Sequence, residues 1–306
     1  MSGASDVTTT QLRYFVEAAE TLSMTRAAAQ LRVAQSAVSS SMAQLERAIG
    51  VQLFIRKPAK GLILTEAGQR FQHDARAVLA TLEEALESAR GQVNDVTGTV
   101  TLACFVTLVP FFVPGLLSHL AALFPNLRVE VIETDSEGLV ASLQSGRAQL
   151  GLGYEFGLAS RIRTSEVGAS TPYALVSEAH PLAMSPSVSL NQLRHEPMIL
   201  LDIPLSRDYF LDMFQAAGGQ PEVRYRSSSY ETVRSLVAQG QGFSILNQLP
   251  ISSVTYSGES VAALVIRDPV PPLKMVLATL DGVKTTARSC AVSDGVRTVV
   301  RTLARS

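Results

Sequence analysis

The chain has 306 residues, of which 46% are hydrophobic and 17% are charged, and its formal net charge is −1. This composition can fill the cores of two or three domains and excludes a disordered chain. The near-neutral charge excludes a uniformly basic nucleic-acid coat, although a small basic module on a neutral body remains compatible with it.

The cysteine content and the N-terminus indicate the compartment. Cys104 and Cys290 are the only cysteines, and without a CxxC spacing they cannot form a disulfide framework. The first ten residues are polar, unlike a signal peptide. The apolar run Leu108–Leu117 contains two prolines and falls short of the ~20 residues that span a bilayer. We therefore expect a cytoplasmic protein.

Helical signals dominate the first 92 residues. Apolar spacing and capping residues predict three helices: one with Leu12, Phe15, Val16 and Ala19 on its buried face, Arg26–Leu31 capped by Ser23 or Thr25, and Gln35–Ile49. Gly50 would end the third helix. Two short strands are predicted at Val51–Phe54 and Gly61–Leu64, and Thr65 would cap the helix that follows.

The stretch Phe71–Val93 has a different period. Its apolar residues step by four and three, which is a heptad seam of Ala75, Leu79, Leu82, Leu86, Ala89 and Val93. One interpretation is a helix that lies on its own domain's core. The other, which we favour because the flanking residues are polar, is a helix that pairs two subunits.

After residue 98 the pattern alternates between strands and helices. Strands are predicted at Thr99–Phe105, Leu127–Ile132, Gln149–Gly153, Pro172–Ser177, Met198–Leu201, Val223–Arg226, Phe243–Leu246, Val261–Ile266 and Leu273–Leu280. Helices are predicted at Val109–Phe124, Glu137–Ser145, Arg207–Ala217, Tyr230–Gln239 and Val292–Arg305. Strand–helix–strand repeats with short links predict parallel sheets, and the length fits two lobes.

The segment Ser23–Glu46 has the parts of a helix-turn-helix. Short polar side chains on one face of its second helix would reach base edges in the major groove. An ordinary three-helix bundle remains the alternative. Four basic residues lie near the predicted hairpin: Arg47, Arg56, Lys57 and Lys60. They fit either a wing that grips phosphates or a solvated turn.

A set of short motifs occurs in a fixed order along the N-terminal part: Leu12-Arg13-Tyr14-Phe15, Arg26-Ala27-Ala28, Leu45-Glu46, Gly50-Val51, Leu53-Phe54 and Leu64-Thr65-Glu66-Ala67-Gly68. Through them the chain resembles the N-terminal domain of LysR-type transcriptional regulators. Further motifs resemble that family's effector-binding region: Val113-Pro114-Gly115, Phe124-Pro125, Glu133–Ser136 and Leu143-Gln144-Ser145-Gly146. The resemblance covers essentially the whole chain.

The resemblance implies an α/β multidomain protein with a winged helix-turn-helix (1–69), a linker helix that pairs subunits (70–94) and a two-lobed effector domain (95–306) like a type II periplasmic binding protein. The first lobe would comprise about 95–160 and 270–306, and the second about 165–268. The implied function is sequence-specific transcriptional regulation, switched by a small carboxylate or aromatic metabolite. The implied partners are promoter DNA, the effector, further copies of the chain in a homodimer or homotetramer, and RNA polymerase.

The helix-turn-helix, the predicted hairpin and the heptad seam supply the candidate residues for DNA binding and subunit pairing. The DNA-binding candidates are Arg26, Gln35, Ser36, Ser39, Ser40, Arg56 and Lys60, and the dimerisation candidates are Leu79, Leu82 and Leu86. Family members often have Ser-Gln-Pro at the start of the recognition helix and Ser-Arg-Gln within it. This chain has Ala34-Gln35-Ser36 and Ser39-Ser40-Ser41, so its base readout is expected to differ.

Effector candidates follow from the rule that parallel sheets bind ligands at the carboxyl ends of their strands. Phe105 and Thr107 end the first strand, Ser136 follows the second, and Tyr154 ends the third. The Thr107 hydroxyl would contact the effector, cap the next helix, or do both.

The second lobe would face these residues with Leu205, Ser206 and Arg207. Arg207 is either a carboxylate partner or a solvent-facing residue on a first helical turn. Phe243 is either an apolar wall of the cleft or an ordinary core aromatic.

Enzyme signatures are weak. The four histidines are scattered, and no HExxH, G-x-S-x-G or P-loop motif occurs, so we predict no metal, cofactor or catalytic residue. Cys104 is expected to be a buried structural thiol rather than a redox sensor. The alternatives to a regulator are an enzyme with an unrecognised site and a stand-alone small-molecule-binding protein, neither of which explains the first 92 residues.

Overall fold

The structure is a computed structural model that describes residues 7–57, 61–89, 96–158, 161–283 and 285–303. The N-terminal part consists of helices α1 (Thr9–Thr21), α2 (Met24–Leu31) and α3 (Gln35–Ile49), the hairpin β1 (Phe54–Lys57) and β2 (Gly61–Leu64), and the long helix α4 (Glu66–Ala89). This order is that of a winged helix-turn-helix followed by a linker helix, as predicted.

Local signals explain most of these boundaries. Ser23 caps α2 by accepting a hydrogen bond from the Arg26 amide, and Gly50 ends α3 at φ +78°. The first strand begins later than predicted, at Phe54, and the amides of Leu53 and Phe54 both donate to Glu46 Oε1, over 2.7 and 3.1 Å. The two strands are antiparallel, with Phe54 opposite Leu64.

Part of the heptad seam of the long helix α4 packs in the core of its own domain. Ala75 is 2% exposed and packs in the N-terminal core, and Leu79 packs against the same core. Further along, Leu86 is 48% exposed, and Val93 lies outside the described residues. The interpretation of a helix that lies on its own domain's core therefore holds for the turns at Ala75 and Leu79, and pairing through the C-terminal half of the helix remains a prediction.

The C-terminal part begins with β3 (Gly98–Phe105), α5 (Val109–Leu123), β4 (Leu127–Thr134), α6 (Ser136–Gln144), β5 (Leu150–Tyr154) and β6 (Ile162–Ser170). It continues with β7 (Tyr173–Ser177), β8 (Ser187–Val188), α7 (Leu190–Leu193), β9 (Met198–Leu201), α8 (Ser206–Ala216), β10 (Val223–Ser227), α9 (Tyr230–Ala238), β11 (Ser244–Leu246) and β12 (Val261–Ile266). The last elements are β13 (Leu273–Leu280) and α10 (Ala287–Leu303).

A five-stranded sheet of order β4-β3-β5-β13-β6 forms the first lobe. Strands β3, β4 and β5 are parallel, as predicted, whereas β13 runs antiparallel to both β5 and β6. The second lobe contains the sheet β11-β7-β12-β8 and the parallel pair β10-β9. Strand β7 is antiparallel to β11 and to β12, so the prediction of parallel sheets is wrong for these three strands.

Strand β6 changes the predicted lobe boundary. Ile162–Ser170 pairs with β13 inside the first sheet, so the first lobe extends beyond the expected boundary at about 160. The first crossover between the lobes therefore runs from Ser170 to Tyr173. The sequence did not indicate this strand because four consecutive polar residues, Arg163 to Glu166, interrupt its apolar pattern. The second crossover runs from Ile266 to Leu273, which includes the predicted end of the second lobe at about 268 and the predicted return to the first lobe at about 270.

Candidate functional site

Three predicted effector residues meet at one edge of the first sheet. Thr107 follows β3, Ser136 follows β4 and Tyr154 ends β5, and their side chains are buried. The Thr107 hydroxyl lies 3.4 Å from the Tyr154 hydroxyl. The parallel order of these strands brings their carboxyl ends together, which is where open α/β sheets bind ligands.

Thr107 is not the cap of α5. The residue at the cap position is Leu108, in a helical conformation and without a side-chain cap hydrogen bond from the described residues. For α6 the cap is Asp135, whose Oδ1 accepts from the Gly138 amide over 2.8 Å, and Ser136 is the first helical residue. The alternative role that the sequence left open for Thr107 is therefore wrong, and its hydroxyl is directed to Tyr154 instead.

A buried polar network, which we call the hinge polar cluster, connects these residues with both lobes. It comprises Thr107, Tyr154, Ser170, Asn247 and Gln248. The Gln248 Nε2 donates to the Tyr154 hydroxyl over 3.1 Å and to the Ser170 hydroxyl over 2.6 Å. Ser170 donates in turn to the Asn247 carbonyl.

The hinge polar cluster has an unused donor. Asn247 Nδ2 is buried and makes no hydrogen bond to the described residues, although the amide is close enough to Tyr154 to influence its pKa. Burial raises the pKa of Tyr154 to about 12, against the opposing effect of its hydrogen bonds with Thr107 and Gln248. The phenol is therefore neutral at pH 7 and can both donate and accept.

Aromatic rings line one side of the hinge polar cluster. Phe105 and Tyr154 meet edge to face with their ring centroids 5.2 Å apart, and Phe156 stacks on Tyr154 at 5.6 Å. Phe105 is fully buried, as the end of a central strand. The surroundings therefore combine an apolar wall with hydroxyl and amide groups, which is typical of small-molecule sites.

The second lobe reaches this edge through the turn before α8. Leu205 has a positive φ of +66°, and its side chain packs on Gly157, next to Ser136. Ser206 is buried at the start of α8. The sequence predicted Leu205 and Ser206 at this site, and the structure places Leu205 against the first lobe.

Two other predicted residues lie elsewhere. The Arg207 guanidinium is exposed and pairs with Asp202 at 3.2 Å, and the hydrogen bond with that carboxylate raises its pKa. It therefore does not join the hinge polar cluster. Phe243 packs against Phe214 in the core of the second lobe, with ring centroids 5.8 Å apart. Of its two predicted roles, the structure supports the core aromatic.

Sequence reasoning missed three members of the hinge polar cluster, namely Ser170, Asn247 and Gln248. Asn247 and Gln248 directly follow the buried strand β11, and a polar pair at the end of a buried strand is a recognisable signal. Ser170 carried no such signal, because strand β6 itself was missed.

The DNA-binding candidates occupy the N-terminal part. Gln35, Ser36 and Ser40 are exposed on α3, while Ser39 is half-buried. Arg26 is exposed on α2 and donates to the Thr21 carbonyl.

The remaining two candidates belong to the hairpin. Arg56 lies on β1 opposite Leu62, and Lys60 lies outside the described residues. Within the part of the chain that is described, there is no helix long and apolar enough to cross a membrane.

Comparisons with known proteins agree with this architecture. A family model described as "Bacterial regulatory helix-turn-helix protein, lysR family" matches residues 9–69, and one described as "LysR substrate binding domain" matches residues 94–299. The chain is 32% identical over 258 residues to the HTH-type transcriptional regulator CfxR from Cupriavidus necator, covering 83% of this chain and 80% of CfxR.

Two further relatives complete the comparison. HinK, a LysR family transcriptional regulator from Pseudomonas aeruginosa, has a crystal structure with a TM-score of 0.65, 34% sequence identity and coverage of 96% of this chain and 98% of HinK. A "Hydrogen peroxide-inducible genes activator" from Haemophilus influenzae is 26% identical, covering 78% of this chain and 80% of the relative. The chain therefore belongs to the LysR family and is a DNA-binding transcriptional regulator with an effector-binding domain.

Proposed function

We propose that a small-molecule effector binds at the hinge polar cluster and switches the DNA-binding activity of this regulator. The observation that carries the proposal is the hydrogen bond from Gln248, which follows β11 of the second lobe, to Tyr154, which ends β5 of the first. A ligand that replaces or extends this contact interacts with both lobes at once. It can then shift their arrangement by its difference in affinity for the two states.

The chemistry of the cluster favours an aromatic or otherwise planar effector with a hydrogen-bonding group. Phe105 and Phe156 offer ring faces and edges, and the Asn247 amide offers a donor that is unsatisfied among the described residues. Arg207, one of whose two predicted roles was to bind a carboxylate, is paired with Asp202. A small carboxylate remains the second class, and would be held by hydroxyl and amide donors.

Assembly and location form part of the proposal. Pairing through α4 would place two recognition helices on successive half-sites, and contacts between effector domains would extend a homodimer to a homotetramer. The half-exposed Leu86 supports a partner on this helix. We place the regulator in the cytoplasm, with RNA polymerase as a further partner at the promoter.

Peroxide is named in the description of several relatives, among them the Haemophilus influenzae activator, so it belongs among the candidate signals. The thiols of this chain do not favour it. Burial raises the pKa of Cys104 to about 12, so its reactive thiolate form is scarce at pH 7. Cys290 lies exposed on α10. We therefore expect a variant with both cysteines replaced by alanine to keep its response to the effector.

A thermal-shift screen of the full chain tests the effector site. The panel contains small aromatic acids, neutral aromatics, aliphatic carboxylates and hydrogen peroxide. A ligand at 100 times its dissociation constant stabilises by about 2.7 kcal/mol, which gives a measurable shift. We expect a hit among the aromatic compounds whose shift is lost in Gln248→Met and kept in Gln220→Met, a matched change at an exposed glutamine. A hit that shifts Gln248→Met as much as the unmodified chain would contradict the proposed site.

A gel shift with DNA from upstream of the chain's own coding sequence separates the regulator from its rivals. The full chain should give a sequence-specific shift, and the chain lacking residues 1–92 should not. A stand-alone binding protein or an enzyme predicts no specific shift from either form.

A further inference from the structure

Arg76, on the linker helix α4, contacts two other parts of the chain. Its Nη2 lies 2.5 Å from Glu20 Oε1, on the last turn of α1 in the DNA-binding domain. Its Nη1 donates to the carbonyl of Ser145, the residue that ends α6 in the first lobe. The Arg76 side chain is only 10% exposed. We call these three residues the Arg76 bridge.

The first lobe fits closely onto α4 at this point. Gly146 has a φ of +69°, and a Cβ on it would lie 3.2 Å from Arg76 Cδ and 3.4 Å from His73 Nδ1. Because such distances are tighter than ordinary contacts, the absence of a side chain at Gly146 allows the turn to approach the helix. The turn at Gly146 and helix α4 are therefore complementary in shape, in addition to the hydrogen bond and ion pair of Arg76.

The buried charge of Arg76 requires both of its partners, Glu20 and Ser145. Burial lowers the pKa of Arg76, the charge of Glu20 opposes that effect, and the nearby Arg147 repels the guanidinium. A buried cation that loses its partner is costly, so an arrangement that separates Glu20 from Arg76 is disfavoured. The guanidinium has several donors, so Arg76 can donate to the Ser145 carbonyl and to the Glu20 carboxylate at the same time.

Helix α6 connects the Arg76 bridge to the effector edge of the same lobe. The helix begins at Ser136, beside Leu205 and Gly157, and ends at Gln144, with Ser145 as its C-terminal cap. Its nine residues span roughly 14 Å at 1.5 Å per residue. Leu139 and Leu143 are each 1% exposed against the sheet, so the helix moves with its lobe as a rigid element.

We propose that Arg76 is a positioning residue that couples the first lobe to the DNA-binding domain of the same chain. It holds Glu20 and the end of α6 in one arrangement, so a movement of the lobe changes the position of α1, and DNA binding changes the lobe in return. The direction from effector to DNA rests on the proposed site at Ser136. The coupling itself does not, because it is measurable with DNA alone.

Hydrogen–deuterium exchange of the full chain, with and without DNA from its own upstream region, tests the coupling. We expect DNA to slow exchange of amides 136–149 in the unmodified chain. In Glu20→Gln this effect should fall by about fivefold or more, while DNA affinity in a gel shift is retained. The Gln side chain preserves shape and removes the charge that Arg76 requires.

Two variants sharpen the result. Glu17→Gln removes a charge one turn earlier on α1, where the carboxylate acts on Arg76 only electrostatically, and it should behave like the unmodified chain. Gly146→Ala inserts a methyl group between the turn and α4 and should reproduce the loss seen in Glu20→Gln.

Three results would overturn the coupling. One is exchange of amides 136–149 that does not respond to DNA in the unmodified chain. Another is an equal response in the unmodified chain and Glu20→Gln. The third is loss of DNA binding in Glu20→Gln but not in Glu17→Gln, which would make the ion pair a requirement for folding of the DNA-binding domain. A chain that shows the coupling but gives no hit in the thermal-shift screen would instead count against the effector site.

Discussion

Leu205 occupies the space that a side chain on Gly157 would need, since a Cβ at Gly157 would lie only 2.1 Å from Leu205 Cδ1. Both residues have positive φ, +66° for Leu205 and +68° for Gly157. A leucine in this region costs about 1–2 kcal/mol, and such strain persists only where the surrounding structure holds it. The contact joins the two lobes beside Ser136 and therefore bears directly on how they close.

The first prediction concerns this contact. Gly157→Ala should destabilise the chain more than Gly218→Ala, because both glycines have positive φ but only Gly157 has a close neighbour. We expect an excess of about 1–3 kcal/mol from overpacking. Urea unfolding of both variants measures the difference. Equal losses in the free energy of unfolding of the two variants would show that the Leu205 side chain moves aside without destabilising the fold.

The second prediction concerns the hinge polar cluster. Thr107→Val keeps the shape of the side chain and removes the hydroxyl that meets Tyr154. The response to the effector should weaken by ~1–3 kcal/mol, because a buried polar group of the complex is left unpaired, while effector-free DNA binding stays intact. Thr99→Val, at the exposed beginning of β3, the strand that Thr107 follows, is the control. A DNA footprint titrated with the compound found in the screen provides the measurement. If Thr107→Val responds at the same compound concentration as the unmodified chain, Thr107 is not part of the site.

The third prediction concerns subunit pairing. The double variant Leu82→Glu and Leu86→Glu puts charges into the proposed seam, and should disrupt pairing and sharply reduce DNA binding. Thr81→Glu adds a charge at an exposed position on another face of the same helix and should be tolerated. Analytical ultracentrifugation with and without DNA gives the stoichiometry. An unchanged stoichiometry in the double variant would mean that the seam does not pair subunits.

The fourth prediction separates base readout from phosphate contact. Gln35 is exposed at the first position of α3, so Gln35→Ala should relax the sequence preference by ~1–3 kcal/mol at one base position. Gln44→Ala, at an exposed position near the other end of the helix, should leave the preference unchanged.

Lys60→Ala is the contrasting variant in the same experiment. It should weaken binding to all sequences alike and lower the salt slope by about 1, as expected for one lost phosphate contact. Competition binding to a set of site variants at several salt concentrations distinguishes the two effects. If Gln35→Ala preserves the ranking of the sites, the proposed orientation of α3 is wrong.

The fifth prediction is a loss of stability at high pH. Burial, assisted by the charge of Glu133, raises the pKa of Cys104 from 9.0 to about 12, so the folded state favours the neutral thiol. The neutral thiol therefore makes its full contribution to the free energy of unfolding below pH 9, and this contribution is lost as the pH rises toward 12. Between pH 9 and 10 it precedes the loss from Tyr154, whose ordinary pKa is 10.0.

The variant Cys104→Ala isolates this effect. The decline of its urea midpoint between pH 9 and 10 should be shallower than that of the unmodified chain. Cys290→Ala, which removes the exposed thiol, should keep the original decline. Identical pH dependence in both variants would show that Cys104 does not contribute.

Local signals in the sequence predicted most elements, because capping groups and apolar spacing act within a few residues. Helix α3 and strands β9, β12 and β13 have their predicted bounds, and the Thr65 hydroxyl accepts from the Gly68 amide as expected. The final helix begins earlier than predicted, at Ala287. Short elements such as β8 and α7 were missed, since two to four residues carry little periodic signal.

The functional site could be predicted only in part. Thr107, Ser136 and Tyr154 were found because each follows a strand whose direction the sequence pattern indicates. Ser170 and Gln248 lie 78 residues apart, and their hydrogen bond depends on how β6 and β11 are arranged in three dimensions. Likewise, the partners of Arg207 and the core position of Phe243 depend on packing that a single sequence pattern does not specify.

The position of β13 in the first sheet determines the order in which the two lobes can fold during synthesis. This strand lies between β5 and β6, so the sheet stays split until residues 273–280 have left the ribosome. The second lobe, from Tyr173 to Ile266, is continuous and emerges complete before that moment. A nascent regulator can therefore carry a complete DNA-binding domain and a complete second lobe while its first lobe is still open, and residues 273–280 then close the first sheet.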